Sequence, residues 1–223
     1  MHTDNEFFQA VLADPDDLIP RLVYADWLDE QGDPRGEFIR VQCELADMPE
    51  TNARRRALLT RQSELLHQHK QKWHAEVHRY FDRSVFHERV SKRKKGWIRN
   101  WRFGRGLVEH VSIGSEALEH PNELFGVGPL QSLQVHNIPF PTKARMLFRT
   151  PQLKQIRHLR IWIGGFLSRD AFVRQIIEMP FVDGLHSLEI NGVPYQHLNN
   201  GRIWRRFPEL ENLLPIDTPS QSR

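Results

Sequence analysis

Apolar residues in the first part of the chain recur at helical spacing. Phe7, Phe8, Val11 and Leu12 form one stripe, which predicts a helix over residues 4–13 with Asp4 as its N-cap. The run Asp14-Pro15-Asp16-Asp17 breaks it. Leu22, Val23, Trp27 and Leu28 share one broad helical face and predict a second helix. Gly32 ends that helix, because a left-handed residue just past a helix costs least without a Cβ. Asp33 and Pro34 then fit as N-cap and first residue of a third helix, whose face carries Phe38, Val41 and Leu45. Met48-Pro49 ends it. Thr51 opens a long fourth helix through about Val77, with Leu58, Leu59, Leu65, Leu66 and Trp73 as its apolar residues.

The periodicity changes after residue 83. In residues 84–106, Trp97, Trp101 and Phe103 fall at odd positions and Arg102 and Gly104 at even ones, which predicts a connecting segment or hairpin in extended form. From about residue 107 a repeat emerges: apolar, two variable, apolar, one variable, apolar. Val108, Val111 and Ile113 fit it, as do Leu130, Leu133 and Val135. So do Ile156, Leu159 and Ile161, and Leu185, Leu188 and Ile190. Leu210 and Leu213 begin a degraded copy that has Pro215 at its third place. Central residues of successive copies stand 22, 26, 29 and 25 positions apart. Helix-like pieces lie between, with Thr142 capping 144–148 and Ser168 capping 170–179. The last of these carries Phe172, Ile176 and Ile177. A strand and helix cannot bury an apolar face alone, whereas stacked copies share a core.

Two resemblances follow from these residues. Arg21-Leu-Val-Tyr-Ala-Asp-Trp-Leu28, followed by Gly32-Asp-Pro-Arg-Gly-Glu-Phe-Ile-Arg40, resembles the bacterial repeat-companion domain. Asp14-Pro15-Asp16-Asp17, Leu65-Leu66 with His69 and Trp73, and Arg105-Gly106-Leu107-Val108-Glu109 extend the likeness over about the first half of the chain. The resemblance implies repeats downstream. That family has no established biochemical activity, so no catalytic or binding residue carries over. Residues 106–214 resemble leucine-rich repeats of the irregular kind, with helices on the convex side. The usual asparagine is missing, because the corresponding positions hold Glu116, Ile138, Gly164 and Val193.

The predicted fold class is therefore α/β: an N-terminal helical unit capping a short, irregular leucine-rich-repeat-like solenoid of parallel strands. Its expected parts are a helical module over 1–83, a basic and aromatic connection over 84–106, the repeat region over 107–214 and a frayed tail over 215–223.

Composition adds a compartment and an asymmetry. Hydrophobic residues make up 39% of the 223, with six Trp and thirteen Phe, enough for a packed core. The polar, acidic start lacks a secretory signal, and no apolar run reaches the length of a membrane helix. The single cysteine, Cys43, fits a reducing compartment and reads as a buried structural thiol. The expectation is a cytoplasmic protein with no membrane association. The net charge of +3 hides a balance of −10 over residues 1–50 and +11 over 51–110. Oppositely charged segments facing each other account for that split, and so does a basic surface for nucleic acid.

Four groups of residues are candidates for chemistry. Side chains between the strand apolars point away from the core. These are His110, Ser112 and Gly114; Ser132, Gln134 and His136; His158, Arg160 and Trp162; Ser187, Glu189 and Asn191. His136, His158, Arg160, Trp162, Glu189 and Asn191 are the expected contacts to a protein partner, because Trp and Arg dominate binding hot spots. Residues 89–105 carry eight Lys/Arg and no acid. Lys92, Arg93, Lys94, Lys95, Trp97, Arg99, Trp101 and Arg102 are the alternative site, for nucleic acid. His74 and His78 at i,i+4 have metal-ligand spacing, but His74-Ala-Glu-Val-His78 departs from the zinc-protease order and shows no third ligand. Asp26, Asp29, Glu30, Asp33 and Glu37 crowd the hairpin. Capping and pairing with Arg35 or Arg40 explain them without catalysis. Neither a Gly-rich phosphate loop nor a Gly-x-Ser-x-Gly elbow is present. The expectation is a non-enzymatic interaction module without cofactor or metal, with an uncharacterised enzyme as the third reading. Gly36, in the first turn of a helix, is expected to admit Trp27 or a neighbouring backbone.

Overall fold

The computed structural model describes residues 5–83, 98–138, 147, 149–164, 172, 175–176 and 179–195. Four helices come first: α1 (Glu6–Ala13), α2 (Leu18–Glu30), α3 (Arg35–Asp47) and α4 (Arg55–Arg83). Strands β1 (Ile98–Gly104) and β2 (Leu107–Gly114) precede a short helix α5 (Pro121–Phe125). Strands β3 (Ser132–Ile138), β4 (His158–Ile163), β5 (Ser187–Ile190) and β6 (Val193–Tyr195) complete the elements. The chain is thus α/β, with a mixed sheet in the order β1-β2-β3-β4-β5-β6. Strands β3, β4 and β5 run parallel, and β6 runs antiparallel to β5.

The chain forms two compact units. One comprises residues 1–94, 101–110 and 122–130; the other comprises residues 95–100, 111–121 and 131–223.

In the first unit, side-chain caps set the helix starts. Asn5, not Asp4, caps α1: its Oδ1 accepts from the N–H groups of Phe7 and Phe8 at 2.9 and 3.2 Å. Asp4 lies outside the described residues. Asp17 caps α2 through the Ile19 N–H at 2.9 Å. Gly32 ends α2 at φ +69°, in the left-handed region where a Cβ is disfavoured. Asp33 accepts from the Arg35 N–H at 2.9 Å, but the third helix begins one residue later than expected, at Arg35 with Pro34 rather than Asp33 in the N-cap place. The fourth helix starts at Arg55 rather than Thr51, because Asn52 takes up the Arg54 N–H in a turn and delays it. It runs on to Arg83.

The expected face of α2 requires correction. Its buried residues are Arg21, Tyr24, Ala25 and Leu28, while Leu22 and Val23 are exposed. The chain buries an arginine in preference to two aliphatic side chains because both terminal nitrogens of that arginine have partners, although its Nε has none. Arg21 pairs with Glu109 at 2.9 Å and donates to the carbonyl oxygens of Pro15 and Arg105 at 3.2 and 3.3 Å. Arg105 pairs with the same Glu109 carboxylate at 2.9 Å and also donates to the Pro15 carbonyl at 3.2 Å. Burial lowers the Arg21 pKa, and the Glu109 charge works against that shift. A buried ion is tolerated only with such compensation.

Arg105 and Gly106 form the two-residue connection from β1 to β2. Both have positive φ, +45° and +83°, the conformation of a tight primed hairpin turn. The Gly106 N–H donates to Gln42 Oε1 at 2.6 Å, and a Cβ there would overlap Ile39. Gly36 serves a similar purpose between α3 and α2. A Cβ on it would overlap the Ala25 carbonyl and the Asp29 side chain, so it is the α2 backbone, not Trp27, that approaches.

Two apolar clusters complete this unit. Phe8, Val11, Tyr24, Ala25, Leu28, Ile39, Cys43 and Leu107 form one. Burial pushes the Tyr24 hydroxyl up to about 12 and raises the Cys43 thiol. Phe38, Val41, Leu45, Leu65 and Trp73 form the other, with Phe103 edge-on to Trp73 at 6.1 Å. Arg35 lies over the Trp73 ring at 5.4 Å and pairs with Glu76 at 2.6 Å.

In the second unit, connecting turns recur. Pro151 and Pro180 each open a 3-10 turn, Pro151–Gln155 and Pro180–Gly184. Their backbone hydrogen bonds correspond across 29 residues. Leu153 and Val182 donate to the carbonyls of Thr150 and Met179; Ile156 and Leu185 donate to those of Leu153 and Val182. Arg157 and His158 then share the Gln131 carbonyl, as His186 and Ser187 share that of Arg157. All twelve apolar residues of the four complete repeat copies are buried. Leu147, Phe172, Gln175 and Ile176 are helical. Otherwise the segments 144–148 and 170–178 lie outside the described residues, as do the copy at 210–215 and the tail.

Candidate partner-binding face

Strand alternation sets one face of β3, β4 and β5 apart from the core. Along β4, Leu159, Ile161 and Ile163 are buried, whereas His158 and Arg160 are exposed and Trp162 is half-buried. The register places Ser132, His158 and Ser187 in one row and Gln134, Arg160 and Glu189 in the next. His136 and Trp162 directly follow the matched pair Val135 and Ile161, where the register shifts before Ile138 pairs with Ile163, and they stack with centroids 4.6 Å apart and planes 7° from parallel.

Each row is internally bonded. His136 Nε2 is 2.9 Å from the Ser112 hydroxyl. His158 Nδ1 is 2.9 Å from the Ser187 hydroxyl, and its ring meets His186 edge-on at 5.7 Å. Arg160 donates to Glu189 at 2.7 Å and lies 5.9 Å from the Trp162 centroid. These contacts tie the side chains to one another across the strands. Burial, with the charge of Arg99, lowers the His136 pKa; burial, with His186, lowers that of His158. Both imidazoles are therefore neutral at pH 7. With Arg160 paired, the face is polar, aromatic and close to neutral.

A Ser–His contact is the beginning of a nucleophile–base arrangement. Here the His136 ring is oriented by the flat stack on Trp162, and its described hydrogen bond goes to Ser112 rather than to a carboxylate. Asn191 has a structural duty. It sits at φ +52°, and its Oδ1 accepts from the Ile163 N–H at 2.8 Å. This tie is at a different position from the repeat asparagine whose absence the sequence shows.

The alternative basic site is only partly in view. Lys92, Arg93, Lys94, Lys95 and Trp97 lie outside the described residues. Arg99 and Arg102 are exposed. Trp101 is buried, 4.3 Å from the His74 ring and 5.2 Å from Phe103, so its face is taken up by the first unit's own aromatics. Burial, with the charges of Lys70 and His78, lowers the His74 pKa. Among the described residues no group of three or more His, Cys, Asp or Glu is arranged to hold a metal ion. No described helix is long and apolar enough to cross a membrane. Four of the hairpin carboxylates, Asp26, Asp29, Asp33 and Glu37, have structural partners. Arg40 pairs with Asp26 at 2.8 Å and with Asp29, and Arg61 holds both Glu37 oxygens at 2.5 and 2.7 Å. That contact keeps the Glu37 carboxyl below its usual range.

Of the six expected face residues, His136, His158, Arg160, Trp162 and Glu189 lie on strands, whereas Asn191 lies in the turn after β5; the spacing did not reveal the His136–Trp162 stack. The signal was present: each is the residue after the third apolar of its repeat copy, so aligning the copies sets them side by side. No protein family, curated protein or solved structure matches the chain.

Proposed function

We propose that this chain is a non-enzymatic, cytoplasmic interaction module that binds another protein on the exposed face of β3, β4 and β5. In this reading the helical unit is a repeat-companion domain, and the region after it is a short irregular leucine-rich-repeat-like solenoid. The 29-residue recurrence of turn, backbone bonds and buried apolars supports the repeat reading. The observation that carries the functional reading is the mutually contacting block of His136, Trp162, Arg160 and Glu189. It offers a large aromatic surface, and Arg and Trp are the commonest hot-spot residues.

Affinity capture from the native cell, with and without nuclease, tests this reading. Wild-type chain should retain a protein that survives nuclease, and Arg160→Ala/Trp162→Ala should lose it. Loss on nuclease treatment, or on neutralising Lys92, Arg93, Lys94 and Lys95, would instead favour nucleic acid bound through residues 89–105.

A further inference from the structure

Helix α2 has a second apolar side, and it faces solvent. Ile19 is 69% exposed, Val23 44% and Leu22 37%, and all three lie on the side opposite Tyr24, Ala25 and Leu28. Spacings of three and four residues make them one stripe. Isolated surface aliphatics are ordinary, but three aligned on one helix form a patch. The same stripe continues at four-residue steps from Leu22 to Asp26 and Glu30, both exposed. Asp26 and its neighbour Asp29 share the single guanidinium of Arg40, so this end of the stripe carries excess negative charge. Exposed Asp16 precedes the stripe at its other end.

We propose that this face of α2 docks a basic amphipathic helix from another protein. The partner's apolar residues would cover Ile19, Leu22 and Val23, and its Lys or Arg residues would meet Asp26 and Glu30. The sign of the charge selects the occupant: carboxylates repel nucleic-acid phosphates and anionic lipid, and attract a cationic helix. The surface is on the first unit and does not rest on the strand-face reading.

The test is fluorescence anisotropy of the full chain with a labelled helical peptide of ~18 residues, about five turns. The peptide has Leu at i, i+3, i+4 and i+7 spacing and Lys at one end; a scrambled peptide of the same composition is the control. The wild-type chain should bind the patterned peptide saturably and at least about tenfold more tightly than the scrambled one, a difference of ~1.4 kcal/mol. Ile19→Asp/Val23→Asp should abolish that preference, with circular dichroism confirming an unchanged fold. Asp26→Lys/Glu30→Lys should weaken binding and remove its salt dependence. Absence of saturable binding, equal binding of the scrambled peptide, or indifference to the Ile19 and Val23 changes overturns the proposal. Tighter binding after Lys92, Arg93, Lys94 and Lys95 are changed to Gln also overturns it, because the occupant is then this chain's own basic segment.

Discussion

Arg21 shows how a single residue can decide which side of a helix is core. Its guanidinium is fully buried, and with Arg105 it shares the Glu109 carboxylate and the Pro15 carbonyl. Removing one partner from a buried pair leaves uncompensated charge. Arg21→Ala should therefore cost about 3 kcal/mol in urea denaturation, at the low end of the range for buried pairs because Arg105 remains on Glu109. A change under about 0.5 kcal/mol, the size of an ordinary surface substitution, would show that the network contributes little. Gly36→Ala should cost about 2 kcal/mol by the same method, because its Cβ would collide with the α2 backbone, which cannot rotate away. Both residues stand in the stretch from Arg21 to Arg40, and Pro15, Arg105, Gly106 and Glu109 pack against it or pair with it. Close packing and one buried ion network give each of these residues a structural reason.

At the scale of elements, the turn residues were legible in the sequence because each has one local physical reason. Gly32 adopts φ +69° as expected of a helix stop, and Asp17 and Asp33 accept backbone N–H groups. The strand apolars were legible too, since period-two alternation marks a half-buried strand. The orientation of α2 was not. Leu22 and Val23 look like core on hydrophobicity alone, and only Glu109, 88 residues away from Arg21, reveals that Arg21 takes the inward place. The turns at Pro151 and Pro180 were also missed, although Val127, Leu153 and Val182 extend the apolar pattern three residues upstream in three copies and are all buried. Leu159→Ala, in the middle strand of the parallel set, should cost about 3 kcal/mol in urea denaturation. A pH dependence follows from the strand face. His136 and His158 have pKa values below the ordinary 6.5 when folded, so the unfolded chain binds protons more readily. Their contribution to stability is present above pH 6.5 and is lost as the pH falls through that value. The melting temperature should accordingly drop between pH 7.5 and 5.5. His136→Gln/His158→Gln should reduce the drop and leave the part due to His74, whose pKa is also lowered.

Across the whole molecule, the charge asymmetry acquires a partial explanation. The acidic excess of residues 1–50 is met in the first unit by arginines of the basic half, Arg54 on Glu44 and Arg61 on Glu37. Exposed pairs of this kind add little stability, so their loss in high salt should shift the melting temperature only slightly. Among the described residues, the α2 stripe and the β3–β5 face lie outside these pairings, and they differ in charge. A near-neutral face binding a protein should hold its partner across a wide salt range, whereas nucleic-acid binding falls steeply with salt. The most direct measurement is site-specific photocrosslinking in the native cell, with a photoreactive residue at His158 on the strand face and, as control, at exposed Lys154 outside it. The account predicts a discrete, nuclease-resistant protein adduct from position 158 that is absent from position 154 and is lost in Arg160→Ala/Trp162→Ala. A nucleic-acid adduct, or equal labelling from the two positions, would contradict it.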